Sequence, residues 1–467
     1  MNDIVILGGG LSGLAAGYVL TKAGRPVQIF ERDPGIGGLS RTIVRNGYRF
    51  DLGGHRFFTN DAAVDALVHD LMGKEMVTVR RRSKIYLRNQ YFDYPLRPLN
   101  ALFGLGITTT VKILVDYVGE SAKRFVKKKD LVSLEDWVVS NFGRTMFELY
   151  FKEYSEKVWG IDCDRISATW VAQRINGLSL AKAVKNALFK FSGRDLATLT
   201  DTFTYPALGI GRISDRLRDE IEKSGTVHTG AKVVRIDHDS FRIESVTVGD
   251  QDRQFTVPAE EYISTLPLTA LVNMLSPAPP AHVLEAAARL RFRDLVIVAI
   301  MIDQERVTDQ TWIYIPEQRI PFGRIHEPKN WSTAMAPQGK SLLVMEYFSF
   351  RGDAVWSMSD EALTDLTVDN LVRLGFIERQ DVLDSMIVRV PKAYPLFEVG
   401  YDKHAEVLLD YLERFGNLHI AGRSGMFRYY NMDVAIRSGM ETAKKICGNP
   451  YSQANDIAQD EPVLART

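Results

Sequence analysis

The alternation of apolar runs and glycine-rich turns is clearest in the first thirty residues of the chain. An apolar run at Ile4–Leu7 predicts a buried strand, and apolar residues at helical spacing from Leu14 to Leu20 predict a helix directly after it. A second apolar run ends at Phe30. This order of strand, turn, helix and strand predicts a βαβ unit and therefore an α/β fold.

The pattern changes twice further along the chain. Residues 61–204 carry mainly helical spacing, interrupted by a short hairpin that we expect to turn at Arg88 and Asn89. Between residues 276 and 384 apolar and polar positions alternate, which predicts antiparallel strands. We therefore predict a discontinuous nucleotide-binding domain at 1–60, 205–275 and 385–450, a mostly helical substrate or lid domain at 61–204, a β-rich substrate domain at 276–384 and a polar tail at 451–467.

Composition narrows the class of protein and its partners. Among 467 residues there are 58 basic and 58 acidic side chains, so no net charge favours a nucleic acid or an anionic membrane as a partner. No run approaches the ~20 apolar residues of a membrane span. Two cysteines, Cys163 and Cys447, lie far apart and form no metal-ligand spacing. We expect reduced thiols, no metal site, a cytoplasmic location, and either a monomer or a homodimer.

Two glycine loops provide the first chemical motif. Gly8, Gly10 and Gly13 follow the first strand, and Glu31 follows the second, as in sites that bind a dinucleotide pyrophosphate at a helix N-terminus. A second loop, Arg32–Arg41, is again basic and rich in glycine. The two loops together resemble the flavin-containing amine oxidase superfamily, and this resemblance implies FAD rather than NAD.

Within that superfamily, motifs along most of the chain resemble the UDP-galactopyranose mutase family. These motifs are Phe50–Thr59, Gln90–Asn100, Leu134–Val138, Tyr150–Gly160, Ala172–Arg174, Trp312–Glu317, Pro321–Arg324 and Gly422–Asp433. The resemblance implies a Rossmann-like FAD-binding domain of the GR2 type, with an inserted helical domain and a mixed or antiparallel substrate-domain sheet.

The resemblance also implies a set of site residues. Those expected at FAD are Gly8, Gly10, Leu11, Ser12, Gly13, Glu31, Arg32, Gly38, Leu39, Ser40, Gly53, Gly54, His55, Val234, Gly422, Arg423, Asn431, Met432 and Asp433. Those expected at a nucleotide-sugar substrate are Tyr94, Arg97, Trp159, Arg174, Tyr314, Arg324, Tyr394, Arg428 and Tyr429. His55, Arg174 and Arg324 are the expected catalytic residues. Arginine and tyrosine suit this role because guanidinium and phenol groups bind diphosphates well.

Three functions remain open from the sequence. The resemblance implies an isomerase that interconverts the pyranose and furanose forms of a UDP-hexose, with N5 of reduced FAD as the nucleophile and NAD(P)H as a possible reductant. The second is an FAD-dependent oxidase, dehydrogenase or desaturase acting on a small or apolar substrate. The third is a flavin-binding scaffold without catalysis. Arg97 and the segment 175–201 depart from the mutase pattern, so the base and the sugar stay undetermined.

Overall fold

The first apolar run forms the strand Asn2–Leu7, which pairs in parallel with Val27–Phe30 on one side and with Gln254–Ser264 on the other. A computed structural model describes residues 2–94, 107–126, 130–175, 202–249 and 253–448. For residues 2, 3, 107, 124–126 and 172–175 it describes the backbone alone. The βαβ unit predicted from the pattern is present, and the α/β class is confirmed.

The first sheet is mixed and contains eight of the described strands. In spatial order these are Leu275–Ser276, Lys232–His238, Ile243–Gly249, Gln254–Ser264, Asn2–Leu7, Val27–Phe30 and Thr226–His228, and Leu418–Ile420 pairs in parallel with the end of Gln254–Ser264. Strands from both ends of the chain therefore meet next to the first glycine loop.

The second sheet contains seven described strands and lies across the opposite wall of the molecule's large cavity. In order they are Val382–Pro395, Phe292–Ile302, Ser341–Ser349, Arg324–His326, Trp312–Tyr314, Ser83–Leu87 and Gln90–Asp93. All neighbours run antiparallel except Trp312–Tyr314 and Ser83–Leu87, which are parallel. Phe292–Ile302 is buried along its whole length, as a central strand with both faces covered should be.

Two strands differ from the predicted domain boundaries. The hairpin does turn at Arg88 and Asn89, both at positive φ, but it extends the second sheet instead of staying within the helical region. Val382–Pro395 also belongs to the second sheet, although most of it falls in the segment assigned to the nucleotide-binding domain. In both places the strand joins the second sheet because it pairs with residues that are distant in sequence. No local sequence pattern predicts such pairing.

Helices and two two-stranded sheets complete the described structure. The two-stranded pairs are Thr42–Arg45 with Tyr48–Asp51 and Met76–Arg80 with Thr202–Pro206. The helices are Leu11–Lys22, Ala62–Met72, Ile107–Val126, Leu134–Phe142, Arg144–Met146, Glu153–Trp159, Ala168–Ile175, Arg212–Ile221, Leu268–Asn273, Ala281–Arg289, Ala354–Ser357, Asp360–Arg373, Tyr401–Glu413, Gly422–Gly425 and Met432–Ile446, with a π-helical turn at Phe147–Lys152.

The N-terminal and C-terminal helices touch at backbone distance. A Cβ atom on Gly439 would lie 2.0 Å from the carbonyl oxygen of Ser12, so only glycine allows Met432–Ile446 to pack this closely on Leu11–Lys22. Ser12 Oγ also donates to the carbonyl of Ala435 at 2.7 Å. This contact brings the end of the chain to the first glycine loop.

Candidate functional site: a cavity between the two sheets

A cavity of about 1900 Å³ lies between the two sheets. The following predicted residues line it: Gly8, Gly10, Leu11, Ser12, Glu31, Arg32, Gly38, Leu39, Ser40, Gly53, Gly54, His55, Val234, Tyr314, Arg324, Tyr394, Gly422, Arg423, Arg428, Tyr429, Asn431, Met432 and Asp433. The structure therefore brings together segments that are up to about four hundred residues apart in the chain.

The first glycine loop has the geometry of an anion site. Gly8 has a φ of +108°, and Gly10, the N-cap of the helix Leu11–Lys22, would direct a Cβ into open space with no atom within 4 Å. Glu31 accepts from the backbone N–H of Gly9 at 2.8 Å and of Asp33 at 2.9 Å, so its carboxylate is held at the cavity wall. The bare helix N-terminus, with no side-chain cap, is left to a ligand.

Gly13 does not line the cavity and has a packing role. A Cβ at this position would lie 2.1 Å from the carbonyl oxygen of Gly8, so the helix can approach the strand only if residue 13 is glycine. The second loop approaches the first equally closely, because the N–H of Gly37 donates to the carbonyl of Gly9 at 2.7 Å. Both glycine loops thus form one continuous wall.

His55 lies on a third glycine turn. A Cβ on Gly54 would lie 1.4 Å from the ring of Trp312, so the turn packs flat against that indole, and Nδ1 of His55 is 3.2 Å from the carbonyl oxygen of Gly53. Burial, together with the positive charges of Arg423 and Arg324, lowers the pKa of His55 to about 4. The imidazole is therefore neutral at physiological pH.

Arg324 is already paired within the protein. Its Nη1 donates to Oε2 of the fully buried Glu346 at 3.0 Å, and its Nε donates to the hydroxyl of Tyr154 at 2.8 Å. Oε1 of Glu346 lies 3.4 Å from the N–H of Gly54. Glu346 therefore links the guanidinium of Arg324 to the turn that carries His55.

Arg423 is held differently, between two aromatic rings. Its guanidinium carbon lies 4.8 Å from the ring centroid of Tyr394 and 4.5 Å from that of Tyr429. Its Nε and Nη2 have no hydrogen-bond partner among the described residues. A guanidinium with unmatched donors at a cavity wall suits an anionic or strongly hydrogen-bonding ligand.

Of the remaining predicted residues, Trp159 and Tyr94 do not line the cavity. Trp159 is 4% exposed and packs on Trp170 and Tyr394, so it is a core residue that supports the site from behind. Tyr94 packs on Tyr314, with ring centroids 4.5 Å apart. Arg97 lies outside the described residues, as does the side chain of Arg174, for which the backbone of Ala168–Ile175 is described.

Three residues that contribute to the site were not predicted. Tyr154 lies within the same motif as Trp159, and its phenol accepts a hydrogen bond from Arg324. Trp312 begins the motif that contains Tyr314. Glu346 lies in an apolar strand, and no local signal distinguishes it.

The described residues fit the cofactor that the sequence predicts. Gly10 leaves room for a pyrophosphate, and Glu31 offers a carboxylate at the cavity wall. Within the described parts of the chain, no cluster of three or more His, Cys, Asp or Glu side chains could hold a metal ion. No described helix is both long and apolar enough to cross a bilayer.

Known proteins with similar sequences include porphyrinogen oxidases, and over shorter stretches carotene desaturases and retinol reductases. The chain is 22% identical to coproporphyrinogen III oxidase of Bacillus subtilis (strain 168), covering 91% of this chain and 93% of that protein. It is 21% identical to protoporphyrinogen oxidase 2 of Arabidopsis thaliana, covering 97% and 95%.

Solved structures share the fold at low sequence identity. Reduced UDP-galactopyranose mutase superposes with a TM-score of 0.83 at 22% identity, covering 96% of each chain. A putative protoporphyrinogen oxidase from Exiguobacterium sp. 255-15 superposes with a TM-score of 0.74 at 16% identity, covering 95% and 98%. Residues 11–447 match the family model of flavin containing amine oxidoreductases. The chain therefore belongs to the flavin-containing amine oxidoreductase family, with its α/β FAD-binding fold.

Proposed function

We propose that this flavoenzyme isomerises a nucleotide-diphosphate hexose between its pyranose and furanose forms while its flavin is reduced. The observation that carries the proposal is Arg423, whose unmatched guanidinium donors lie between Tyr394 and Tyr429 in the cavity that also contains His55. A cation between phenols is well suited to a diphosphate.

The charged and the phenolic side chains of the pocket would have different roles in binding the substrate. Arg423 would bind the diphosphate of the substrate and stabilise it as the glycosidic bond to the sugar breaks. Arg324, already neutralised by Glu346, would orient a phosphate or sugar oxygen without adding much net charge. Burial raises the pKa of Tyr394 to about 12 and also raises that of Tyr314, so both phenols stay protonated and can donate.

Reduced FAD, when bound, supplies a nucleophilic N5 atom. The part of His55 is to present a neutral imidazole, because its pKa is lowered to about 4 and the ring then does not compete with Arg423 for the anionic substrate. Arg174 stays the predicted second cation of the diphosphate site.

A specific observation favours a second candidate, an FAD-dependent oxidase or desaturase with an apolar substrate. Two relatives that span more than nine-tenths of this chain are named porphyrinogen oxidases. Trp170, Phe203 and Trp312 also give the cavity an aromatic portion. The sequence relatives favour this candidate, and the charged groups of the pocket favour the isomerase.

An anaerobic assay separates the two candidates. The protein is reduced with dithionite and incubated with UDP-, GDP- and dTDP-hexoses, and the products are identified by chromatography and NMR. The isomerase predicts a ring isomer of equal mass, formed only after reduction. A reduced protein that leaves the whole panel unchanged, but in air oxidises coproporphyrinogen or protoporphyrinogen with consumption of oxygen, establishes the oxidase instead. Replacing dithionite with NAD(P)H tests the predicted reductant.

Arg423→Met tests the residue on which the proposal rests. We expect the dissociation constant for UDP to rise at least tenfold, since a charge-assisted hydrogen bond contributes about 1.5–3 kcal/mol, while flavin content stays near that of the parent protein. Arg437→Met is the matched control, because Arg437 forms ion pairs with Asp61 and Glu441 at the surface. Loss of flavin with unchanged UDP affinity would assign Arg423 to the cofactor alone.

A further inference from the structure

One residue of the cavity wall has an unusual backbone conformation. Lys392 lies in the strand Val382–Pro395 with a φ of +56°, which costs a non-glycine residue on the order of 1 kcal/mol. It lines the cavity next to Val390 and Pro391. Strain of this kind persists where surrounding contacts enforce it, often at binding sites.

A buried carboxylate enforces this conformation. Asp294 is 6% exposed, and its Oδ1 accepts from the N–H of Lys392 at 2.6 Å while its Oδ2 accepts from the N–H of Arg351 at 2.7 Å. The pairing of the two strands shifts register between Arg293 and Leu295, opposite this point. Such a bulge redirects a side chain, and here it directs Lys392 at the cavity instead of along the sheet.

The charges around this wall leave an excess of cations. Arg32 and Arg41 both line the cavity and share the single carboxylate of Asp33. Burial, and then the positive charges of Arg32 and Arg351, lower the pKa of Lys392. The carboxylate of Asp294 accepts hydrogen bonds from two backbone N–H groups. The Lys392 ammonium makes a long hydrogen bond, of 3.5 Å, to the hydroxyl of Thr269. Cations gathered around an open cavity are stabilised by an anion.

We propose that Lys392 is a cofactor-binding residue, whose ammonium the bulge held by Asp294 presents to the diphosphate of the flavin dinucleotide. The inference rests on the cofactor of the family and not on the isomerase reaction, so it stands or falls separately from the proposed function. Lys392 thereby joins Arg32 as a cationic residue of the cavity wall.

Binding measurements on the deflavinated full-length protein test the proposal. For Lys392→Met we expect the dissociation constants for FAD, from flavin fluorescence, and for ADP, from calorimetry, to rise about tenfold together. Lys392→Arg keeps the charge and should bind both ligands within about threefold of the parent. Lys340→Met, at a surface lysine paired with Asp303, is the control and should change neither constant.

Lys392→Gly separates binding from folding. Glycine adopts positive φ freely, so the variant should melt no lower than the parent protein without ligand, yet bind FAD and ADP as weakly as Lys392→Met. Unchanged FAD affinity in Lys392→Met overturns the proposal. FAD binding that weakens while ADP binding does not also overturns it, because the ammonium would then contact a part of the cofactor other than the diphosphate.

Discussion

Aromatic rings surround a buried histidine behind the site. His326 is 2% exposed, and its ring contacts Trp312 and Trp331 with centroids 5.7 and 5.5 Å away, while the two indoles are 5.9 Å from each other. Burial, together with the positive charge of Arg324 and that of His55 when it is protonated, lowers the pKa of His326 to about 3. Its Nδ1 has no hydrogen-bond partner among the described residues. The neutral ring packs against Trp312, and Trp312 in turn packs against the glycine turn that carries His55.

This burial makes stability depend on pH in a defined direction. The folded-state pKa of His326 lies below the unfolded value of about 6.5, so the unfolded chain takes up a proton first and stability is lost as pH falls below 6.5. His326→Phe keeps the stack and removes the proton. As the pH falls from 7.5 to 5, we expect the parent protein to lose about 2 kcal/mol more free energy of unfolding than the variant loses. Urea unfolding at both values measures this, and an equal pH response of the two proteins would contradict it.

The helix Glu153–Trp159 organises one side of the pocket. Tyr154 binds Arg324, and Lys157 donates from Nζ to the carbonyls of Ile315 and Glu317 at 3.0 and 2.7 Å. The buried Arg293 binds the C-terminal end of the helix, donating to the carbonyls of Lys157 and Val158, and it also donates to the carbonyl of Phe348. Cations thus join this helix to the second sheet at both ends.

Arg293→Met should release the C-terminal end of this helix. Three carbonyls lose a donor, so we expect the free energy of unfolding to fall by about 3 kcal/mol and KM to rise more than kcat falls, because Arg293 positions Tyr154 and does not touch substrate. Arg291→Met is the control, since Arg291 is an exposed neighbour paired with Glu398. Equal destabilisation in both variants, or a loss confined to kcat, would count against the positioning role.

At the scale of the whole molecule, the cavity is built from both termini and the middle of the chain. Gly10, Pro267 and Gly422 all line it. A cofactor bound there contacts segments that separate when the protein unfolds, so binding and folding are linked.

FAD should therefore stabilise the protein in a concentration-dependent manner. At a free FAD concentration a hundred times the dissociation constant, we expect about 2.7 kcal/mol of added stability. Melting of the deflavinated protein over a series of FAD concentrations measures it, with riboflavin, which lacks the diphosphate and adenosine, as the comparison. A midpoint that does not move with FAD would show that the cavity is not the cofactor site.

The sequence by itself determined the features that arise from neighbouring residues. Gly8 and Gly13 predict the βαβ turn because backbone geometry and helix packing exclude other residues there, Gly10 leaves open the space in front of the helix, and the hairpin at Arg88 follows from its local pattern. The glycine loops and the C-terminal signature likewise identified residues that do line one cavity, because each motif keeps its shape within a short segment.

Only the tertiary structure decided which side chains meet. The pairing of Arg324 with Glu346, the position of Arg423 between Tyr394 and Tyr429, and the direction of Lys392 all depend on strands that pair across long stretches of chain. Hydrophobic periodicity predicts which face of an element is buried, but it does not predict the register of strand pairing or which element packs against that face. For that reason the sequence predicted a cofactor cavity, and the docking of the second sheet determined which of its charges are neutralised and which are left for a ligand.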